Sequence, residues 1–295
     1  MLSSSVLAAR MNQARQRRMG IPHKCVRLAA LDQCGKPVQK DGGQRVATGF
    51  LLRHSDGLYL YTCWHFVTGL DWHTPVLPVV GTQRTCSLVM TIQDAVPESA
   101  SGMEGIGGRR DMPIPLYDTS TTPWHPLWEQ ERSTRSDTGT ECDGLYVPHS
   151  FDVVRIRLPE SGPFLSEQLQ AFCEQNIWRD LVATGDKVRI AGFPYGFQSR
   201  IEHTQGLVFT RHAAQMGFSH QRDGAYLDAP CAPGVSGGPV LMEMGDHIFL
   251  VGIYTGSRFP DGANGNRNTA LGTYCPLSLT MTNKDGDFGP CPLPA

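Results

Sequence analysis

Ala229-Pro-Cys-Ala-Pro-Gly-Val-Ser-Gly-Gly-Pro-Val240 is the stretch from which the interpretation of the whole chain starts. It places one serine, Ser236, between Gly234 and the pair Gly237-Gly238. Glycines on both sides of a serine allow a sharp backbone turn or the close approach of another molecule. A nucleophile needs that setting, because its hydroxyl must be exposed and neighbouring N–H groups must hold a developing oxyanion. Alone, the stretch also fits a glycine- and proline-rich turn before a strand.

The composition of the 295-residue chain is that of a globular protein with many turns. Hydrophobic residues make up 40% and charged residues 18%, and there are 32 glycines and 21 prolines. This balance favours an all-β architecture over a helical bundle. The formal net charge of −2 gives no electrostatic reason to expect a nucleic acid or an anionic membrane as a partner. No apolar run has the length of a transmembrane helix, so no membrane partner is expected.

Nine cysteines are scattered along the chain without the spacing of a metal site. Because no C-x-x-C and no zinc-spaced Cys/His cluster occurs, we expect neither a metal nor a cofactor. An odd number of loosely spaced cysteines indicates a reducing compartment, and we expect the cytoplasm. Residues 1–31 contain six basic residues and no acid. An organellar location therefore stays open, if residues 1–20 are a transit peptide rather than a basic helix.

Strand and turn signals predict two β-rich halves separated by a helix, which suggests two packed β-barrels. Residues 94–144 are dominated by Gly, Ser, Thr, Pro, Asp and Glu and predict a long surface insertion in the first half. The predicted segments are a basic N-terminal helix (1–20), a first β-barrel (21–160), a helical linker starting near Pro163 (161–180), a second β-barrel (181–285) and a tail (286–295).

Gly234-Val-Ser-Gly-Gly238 matches two unrelated patterns of nucleophilic serines. In the nucleophile elbow of α/β-hydrolases, the acid and the histidine follow the serine. Here only 59 residues follow Ser236, with His247 as their one histidine beside a turn, and no parallel βα units precede it. The pattern G-x-S-G-G-P instead predicts the chain order His, Asp, Ser, with the histidine just after a hairpin.

Two upstream segments supply those residues in that order. His65, in Thr62-Cys-Trp-His65, follows a predicted hairpin of Val46–Leu52 and Leu58–Thr62. Asp152 begins a strand in which polar and apolar residues alternate. The separation of His65 from Asp152 is 87 residues, and the predicted insertion accounts for its length.

Together these segments resemble the trypsin/chymotrypsin-like serine protease superfamily, in particular stand-alone bacterial HtrA-like peptidases without a PDZ domain. Further segments resemble motifs of that family in the same order, and the resemblance covers about residues 45–280. These segments are Thr48–Leu51 (G-[ST]-G-F), Gly185–Gly196 (G-[DE]-x-V-x-x-x-G-x-P-x-G), Leu227–Ser236 (D-A-x-x-x-P-G-x-S), Leu250–Gly256 (V-G-I-x-[ST]) and Leu271–Tyr274. The resemblance implies two packed six-stranded antiparallel β-barrels.

The resemblance also implies a serine endopeptidase that forms an acyl-enzyme on Ser236. His65 would be the general base, and Asp152 would orient it. The backbone N–H groups of Gly234 and Ser236 would form the oxyanion hole. Thr255 stands where the family has a serine whose hydroxyl supports the aspartate.

Val235 stands where secreted zymogens have an aspartate that pairs with a newly cut N-terminus, so activation by that ion pair is excluded. No acid occurs at Pro230, and we therefore expect a small or apolar residue before the cleaved bond. Arg258 near the rim of the pocket would favour an acidic residue instead. The expected pocket residues are Pro230, Cys231, Ala232, Tyr254, Thr255, Gly256 and Ser257.

Three hypotheses of function stay open on the sequence. The first is an intracellular serine endopeptidase that acts on proteins or peptides. The second is a peptidase dedicated to one regulatory partner or one operon-encoded substrate. The third is a catalytically idle protease-fold scaffold or peptide-binding module, which the complete set of His65, Asp152, Ser236 and Gly234 disfavours.

Overall fold

The chain is an all-β protein, as its sequence predicts. The computed structural model describes residues 24–40, 43–69, 85–93, 109–120, 124–133, 150–159, 171–180, 182–196, 207–214, 225–245, 247–258, 270–277 and 280–281. One short α-helix, α1 (Trp64–Thr68), and 3-10 turns at Glu174–Asn176 and Pro194–Gly196 are the helical elements of these ranges. None of the described helices is long and apolar enough to traverse a bilayer. The predicted helix at 1–20 and the tail at 286–295 lie outside the described residues.

Nineteen strands make up the rest of the described structure. They are β1 (Cys25–Leu31), β2 (Gln39–Lys40), β3 (Gly43–Gln44), β4 (Val46–His54), β5 (Gly57–Thr62), β6 (Ser87–Gln93), β7 (Arg109–Pro115), β8 (Tyr117–Asp118), β9 (His125–Pro126), β10 (Trp128–Ser133), β11 (Ser150–Arg157), β12 (Phe172–Cys173), β13 (Lys187–Gly192), β14 (Leu207–His212), β15 (Ala225–Leu227), β16 (Pro239–Met244), β17 (His247–Arg258), β18 (Leu271–Pro276) and β19 (Thr280–Met281).

The first barrel is a nine-stranded sheet of order β19-β10-β11-β5-β4-β1-β6-β7, with β12 added in parallel to β4. All its other pairings are antiparallel. A hydrogen bond of 2.9 Å from Leu127 N–H to the carbonyl of Leu116 joins the end of β7 to the start of β10. This bond brings β7, at one end of the curled sheet, next to β10 near the other end. This sheet therefore has more than the six predicted strands, because short segments such as β12 and β19 extend it.

The second barrel is a six-stranded antiparallel sheet of order β14-β13-β16-β17-β18-β15. Its edge strands meet through a bridge between Ala213 and Leu227, supported by a 2.8 Å bond from Ala214 N–H to the carbonyl of Tyr226. Closure of a sheet removes its exposed edges. The two curled sheets have the architecture of a chymotrypsin-like double barrel.

Strand β4 is buried on both of its faces, which explains its nearly continuous apolar sequence. Side chains alternate across a strand, so Ala47 and Leu51 enter the core of the first barrel. Phe50 and Leu52 point the other way, into an apolar layer that also contains Leu241 of the second barrel. Complete burial of a side chain such as Phe50 stabilises the fold by roughly 2–3 kcal/mol. The two barrels therefore dock through β4.

The structure corrects the predicted surface insertion at 94–144, because two of its segments are strands of the first barrel. Strands β7 and β10 lie within it and belong to the first barrel. On β7 the side chains of Met112 and Ile114 are buried while Pro113 and Pro115 are exposed, which is the alternation of a strand. Prolines hide this pattern in the sequence, and they are tolerated because β7 is the last strand of its sheet.

The predicted inter-barrel helix is also corrected over the residues that the structure describes, 171–180. Phe172 pairs in parallel with Leu52 of the first barrel, and the N–H of Trp178 donates to the carbonyl of Leu250 in the second. The apolar residues whose spacing predicts a helix instead enter the layer between the barrels one at a time. Phe172 meets the ring of Phe50 edge-on at a centroid distance of 5.7 Å, so tertiary packing overrides the helical pattern.

A buried carboxyl group lies on β10 in the wall of the first barrel. Glu131 is 1% exposed, its Oε1 accepts a hydrogen bond from the Tyr61 hydroxyl at 3.3 Å, and its Oε2 has no partner among the described residues. The guanidinium of Arg155 is 3.9 Å away and donates to Glu129 at 2.7 Å. Burial raises the pKa of Glu131 to about 7, against the opposing effects of Arg155 and Tyr61.

Replacing Glu131 with glutamine is expected to stabilise the protein above about pH 7. The pKa is higher in the folded state than its ordinary value of 4.5. The stabilisation by the proton is therefore complete below about pH 4.5 and lost as pH rises through about 7, by about 3 kcal/mol. Glutamine does not titrate. Urea unfolding should show that the free-energy difference between variant and wild type grows over this window, and a difference independent of pH would contradict the assignment.

Candidate active site

His65 lies on helix α1, directly after strand β5. Trp64, Phe66 and Val67 are buried in the core of the first barrel and anchor the helix, whereas 27% of the His65 side chain is exposed. The helix ends at Gly69, whose φ of +86° is left-handed and whose N–H donates to the carbonyl of His65 at 3.1 Å. This one-turn helix therefore holds the imidazole at the surface of a rigid core.

Asp152 on β11 binds His65 through both of its carboxylate oxygens. Oδ1 accepts the backbone N–H of His65 at 2.9 Å, and Oδ2 lies 2.7 Å from its Nδ1. A carboxylate that accepts two such bonds assigns the ring proton to Nδ1 and leaves a lone pair on Nε2. Only 5% of the Asp152 side chain is exposed, so little water competes for these bonds.

Ser236 lies in the turn that leads into β16, named here the serine turn (residues 231–238). The N–H groups of Val235, Gly237 and Gly238 donate to carbonyls at 3.3, 2.7 and 2.9 Å. Within the described ranges, the N–H groups of Gly234 and Ser236 have no acceptor. Two unused donors beside a serine hydroxyl are the arrangement that stabilises an oxyanion.

The serine turn requires glycine at two positions. Gly234 has a φ of +90°, and a Cβ there would lie 2.6 Å from the carbonyl oxygen of Phe193. At Gly237, with a φ of +87°, a Cβ would lie 2.1 Å from the carbonyl oxygen of Thr48 and 2.5 Å from Oγ1 of Thr62. No side chain fits at these distances. Gly234 thus lets the turn approach the 193–196 segment, and Gly237 lets it contact β4 and β5 of the opposite barrel.

The carbonyl of Tyr254 joins the serine turn to the histidine helix. It accepts the N–H of Gly237 at 2.7 Å and the thiol of Cys63 at 3.4 Å. Gly237 follows Ser236, and Cys63 is two residues before His65. One backbone oxygen of β17 therefore positions both the serine turn and the start of the helix that carries His65.

The Ser236 hydroxyl and the Nε2 of His65 have no hydrogen-bond partner in the part of the chain that the structure describes, and they are not bonded to each other. Bonds of this kind are often long before a substrate is bound. Both atoms are therefore unengaged. The structure brings His65 and Asp152 into direct contact and places Ser236 on the docked barrel.

The predicted pocket residues border Ser236 on two sides. On β17, a Cβ added to Gly256 would lie 4.0 Å from Oγ of Ser236. The hydroxyl of Tyr254 accepts the N–H of Cys231 at 2.7 Å, which connects the two predicted walls. Tyr254 itself is 1% exposed and packs in the core of the second barrel, so it supports the wall from behind. The other predicted wall residues are partly or fully exposed: Pro230, Ala232, Thr255 and Ser257.

Arg211 on β14 is a residue of this wall that the sequence did not reveal. Its Nη2 donates to the carbonyl of Pro230 at 2.7 Å and its Nε to that of Ala229 at 3.1 Å. Burial raises the pKa of the neighbouring Cys231 thiol to about 11, against the positive charge of Arg211. An alternating strand with one arginine carries no sequence signal for such a contact. The side chain of Arg258, expected at the rim, is outside the described structure.

The expected role of Thr255 is wrong. Its hydroxyl donates to Oγ1 of Thr273 at 3.1 Å, and no hydrogen bond joins it to Asp152 among the described residues. The bulge that shifts the register between Tyr254 and Gly256 explains this outcome, because it changes the direction of the side chains on β17.

Cys63, His65 and Asp152 form a group whose metal-ligating atoms lie within 4.8 Å of one another. Both oxygens of Asp152 accept hydrogen bonds from His65, and the Cys63 thiol donates to a carbonyl. Burial raises the pKa of the Cys63 thiol, and the charge of Asp152 raises it further. A protonated, fully buried thiol is a poor metal ligand. The donor set fits a hydrogen-bonded histidine better than a metal ion.

Comparison with protein-family models and with curated proteins found no match for this chain. Solved structures that are similar to it include proteases. The active form of the Rv3671c protease from M. tuberculosis is 12% identical, with a TM-score of 0.45 over 89% of this chain and 79% of the other. The thermostable serine protease AL20 from an extremophilic microorganism is 12% identical, with a TM-score of 0.45 over 87% and 91%. The protease Anisep from Arthrobacter nicotinovorans is 11% identical, with a TM-score of 0.45 over 87% and 91%.

Proposed function

We propose that this chain is a serine endopeptidase of the trypsin-like superfamily that hydrolyses peptide bonds through an acyl-enzyme on Ser236. The observation that carries the proposal is the 2.7 Å hydrogen bond between Nδ1 of His65 and Oδ2 of Asp152. It prepares Nε2 of His65 as a base on the side of the ring away from the carboxylate.

In the proposed reaction, Oγ of Ser236 attacks the carbonyl carbon of the substrate while Nε2 of His65 takes the hydroxyl proton. Collapse of the tetrahedral intermediate breaks the C–N bond, and Nε2 returns the proton to the leaving amine. A water molecule then repeats the sequence on the ester. The Asp152 carboxylate stabilises the positive charge on the imidazole in both halves of the cycle.

The negative charge of the tetrahedral intermediate would be stabilised by the N–H groups of Gly234 and Ser236. Both donors are unused within the described part of the chain. Donors that are already oriented need no reorganisation when the charge develops, which is why they lower the barrier. Their neighbours in the serine turn are engaged with carbonyls and are not available for this role.

For the substrate, we propose a protein or peptide with a small or apolar residue before the cleaved bond. Pro230 offers no carboxylate to a basic residue. The cation of Arg211 behind that wall favours an acidic residue as the alternative. We further propose a cytoplasmic location and a dedicated protein partner. Support for the compartment comes from Cys34, Cys63 and Cys231, which carry free thiols.

A fluorophosphonate probe tests the proposal, because it reacts with a serine only when a base and an oxyanion hole activate it. The folded protein should be labelled, and mass spectrometry should locate the label on Ser236. Heat-denatured protein is the matched control and should remain unlabelled. A folded protein that is not labelled would refute the peptidase and favour the idle scaffold.

Peptide products from a proteome digest would establish the specificity. Sequencing of new N-termini should show one residue class before the cut, small or apolar if Pro230 dominates and acidic if the charge of Arg211 dominates. Cleavage of very few proteins would support a dedicated partner, and cleavage of many would contradict it.

A further inference from the structure

Thr48 is a completely buried polar residue of β4 to which the reaction assigns no role. Its hydroxyl donates to the carbonyl of Gly234 at 2.8 Å and accepts the N–H of Phe193 at 3.0 Å. Its own N–H donates to the carbonyl of Ser236 at 2.9 Å. A residue of the first barrel therefore holds the serine turn of the second barrel at two carbonyls, one before and one after Val235.

The peptide between Pro233 and Gly234 is fixed by another turn. Its carbonyl accepts the N–H of Tyr195 at 2.5 Å. In a planar trans peptide the C=O and the N–H point in opposite directions. The bond to Tyr195 therefore turns the N–H of Gly234 away from the 194–196 turn.

The next peptide, between Gly234 and Val235, is fixed by Thr48. Its carbonyl is held by the Thr48 hydroxyl, and its N–H donates to the carbonyl of Ala232 at 3.3 Å. A glycine rotates freely unless its two flanking peptides are both held. The bond to Tyr195 fixes the peptide before Gly234, and the bond to Thr48 fixes the peptide after it.

The chain accepts unfavourable local geometry to make these contacts. Tyr195 has a φ of +53°, the one non-glycine residue in the described structure with a positive φ, although 74% of it is exposed. Gly192 is constrained by space instead, since a Cβ there would lie 2.8 Å from the Thr48 hydroxyl. A strained position such as that of Tyr195 persists where surrounding structure enforces it, and such positions cluster at functional sites.

We propose that Thr48 is a positioning residue, whose hydroxyl keeps the N–H of Gly234 turned into the active site. This inference rests on the proposed function of Ser236. The oxyanion hole is then set by docking of the two barrels and not by an ion pair at position 235, where the side chain of Val235 is fully buried. A hydroxyl from the opposite barrel takes over the control that a zymogen aspartate exerts.

Kinetics of Thr48→Val and Thr48→Ser variants test this role. Valine keeps the shape but not the hydroxyl, and its kcat should fall on the order of 10- to 100-fold, less than for outright loss of a hole donor. KM should stay within about twofold, because the hole acts mainly in the transition state. Serine keeps the hydroxyl and should retain the wild-type kcat. A peptide boronic acid, whose tetrahedral adduct places an oxygen in the hole, should lose affinity for the valine variant by the same factor as kcat.

The outcomes separate this inference from the function on which it rests. Wild-type protein without fluorophosphonate labelling would refute the peptidase itself. Labelled wild type together with a folded Thr48→Val variant of unchanged kcat and boronate affinity would refute only the role of Thr48. If the valine variant does not fold, Thr48→Cys replaces it, because its thiol is a weaker donor of similar size. A wild-type kcat in that variant would also overturn the proposal.

Discussion

Replacing Ser236 with alanine is expected to lower kcat by about a million-fold, and replacing His65 with alanine should have an equal effect. The alanine at 236 removes the attacking oxygen, and the alanine at 65 removes the base that accepts its proton. Because the two groups act in one step, the double variant should lose no more activity than either single variant. Hydrolysis of a chromogenic peptide selected from the proteome digest would measure all three.

The matched controls for these variants are Ser55→Ala and His125→Ala. Both residues are exposed, and neither belongs to helix α1 or to the serine turn. They should keep the wild-type kcat. Losses that multiply in the double variant would show that Ser236 and His65 do not act as a unit, and activity retained by Ser236→Ala would assign the nucleophile elsewhere.

Replacing Asp152 with asparagine is expected to lower kcat by about ten-thousand-fold while preserving the fold. The backbone N–H of His65 needs an acceptor, now provided by Oδ1 of Asp152 at 2.9 Å. In the variant the amide oxygen should take that position, so the amide NH₂ faces Nδ1. Nδ1 must then accept a hydrogen bond and Nε2 must carry the proton. The ring would be unable to take a proton from Ser236.

Proton NMR distinguishes this change of tautomer from a general loss of structure. The wild type should show a low-field resonance for the Nδ1 proton of His65, and Asp152→Asn should lack it while its other resonances remain dispersed. Asp111→Asn is the control, since this exposed carboxylate on β7 accepts a bond from Thr91 on β6 and none from His65. A tenfold or smaller loss of kcat in Asp152→Asn would contradict the role of the carboxylate.

The hairpin that precedes the histidine could be predicted closely from the sequence. The predicted strands Val46–Leu52 and Leu58–Thr62 correspond to β4 (Val46–His54) and β5 (Gly57–Thr62). Apolar alternation and a Ser-Asp-Gly turn are local signals, and both survive in the fold. The pairing of His65 with Asp152 was predicted too, because the family resemblance supplies a contact that no local pattern contains.

What could not be predicted depends on contacts between segments that are distant in sequence. Strand β7 is obscured by prolines that only an edge position tolerates. The helix predicted near Phe172 is wrong because its apolar residues pack individually between the two barrels. Arg211, the carbonyl of Tyr254 and the hydroxyl of Thr48 act on the site through backbone atoms, and the identity of a backbone acceptor leaves no trace in a sequence.

The return of the chain to its first barrel makes that barrel depend on residues that are synthesised after the second barrel. Strand β19, the last that the structure describes, leaves the second barrel and pairs with β10. Chains are made from the N-terminus, and their domains fold as they emerge. His65 and Asp152 therefore leave the ribosome before Ser236, and β10 lacks its outer neighbour until residues 280–281 have been added. The first barrel therefore gains its last described strand only after the second barrel has been synthesised.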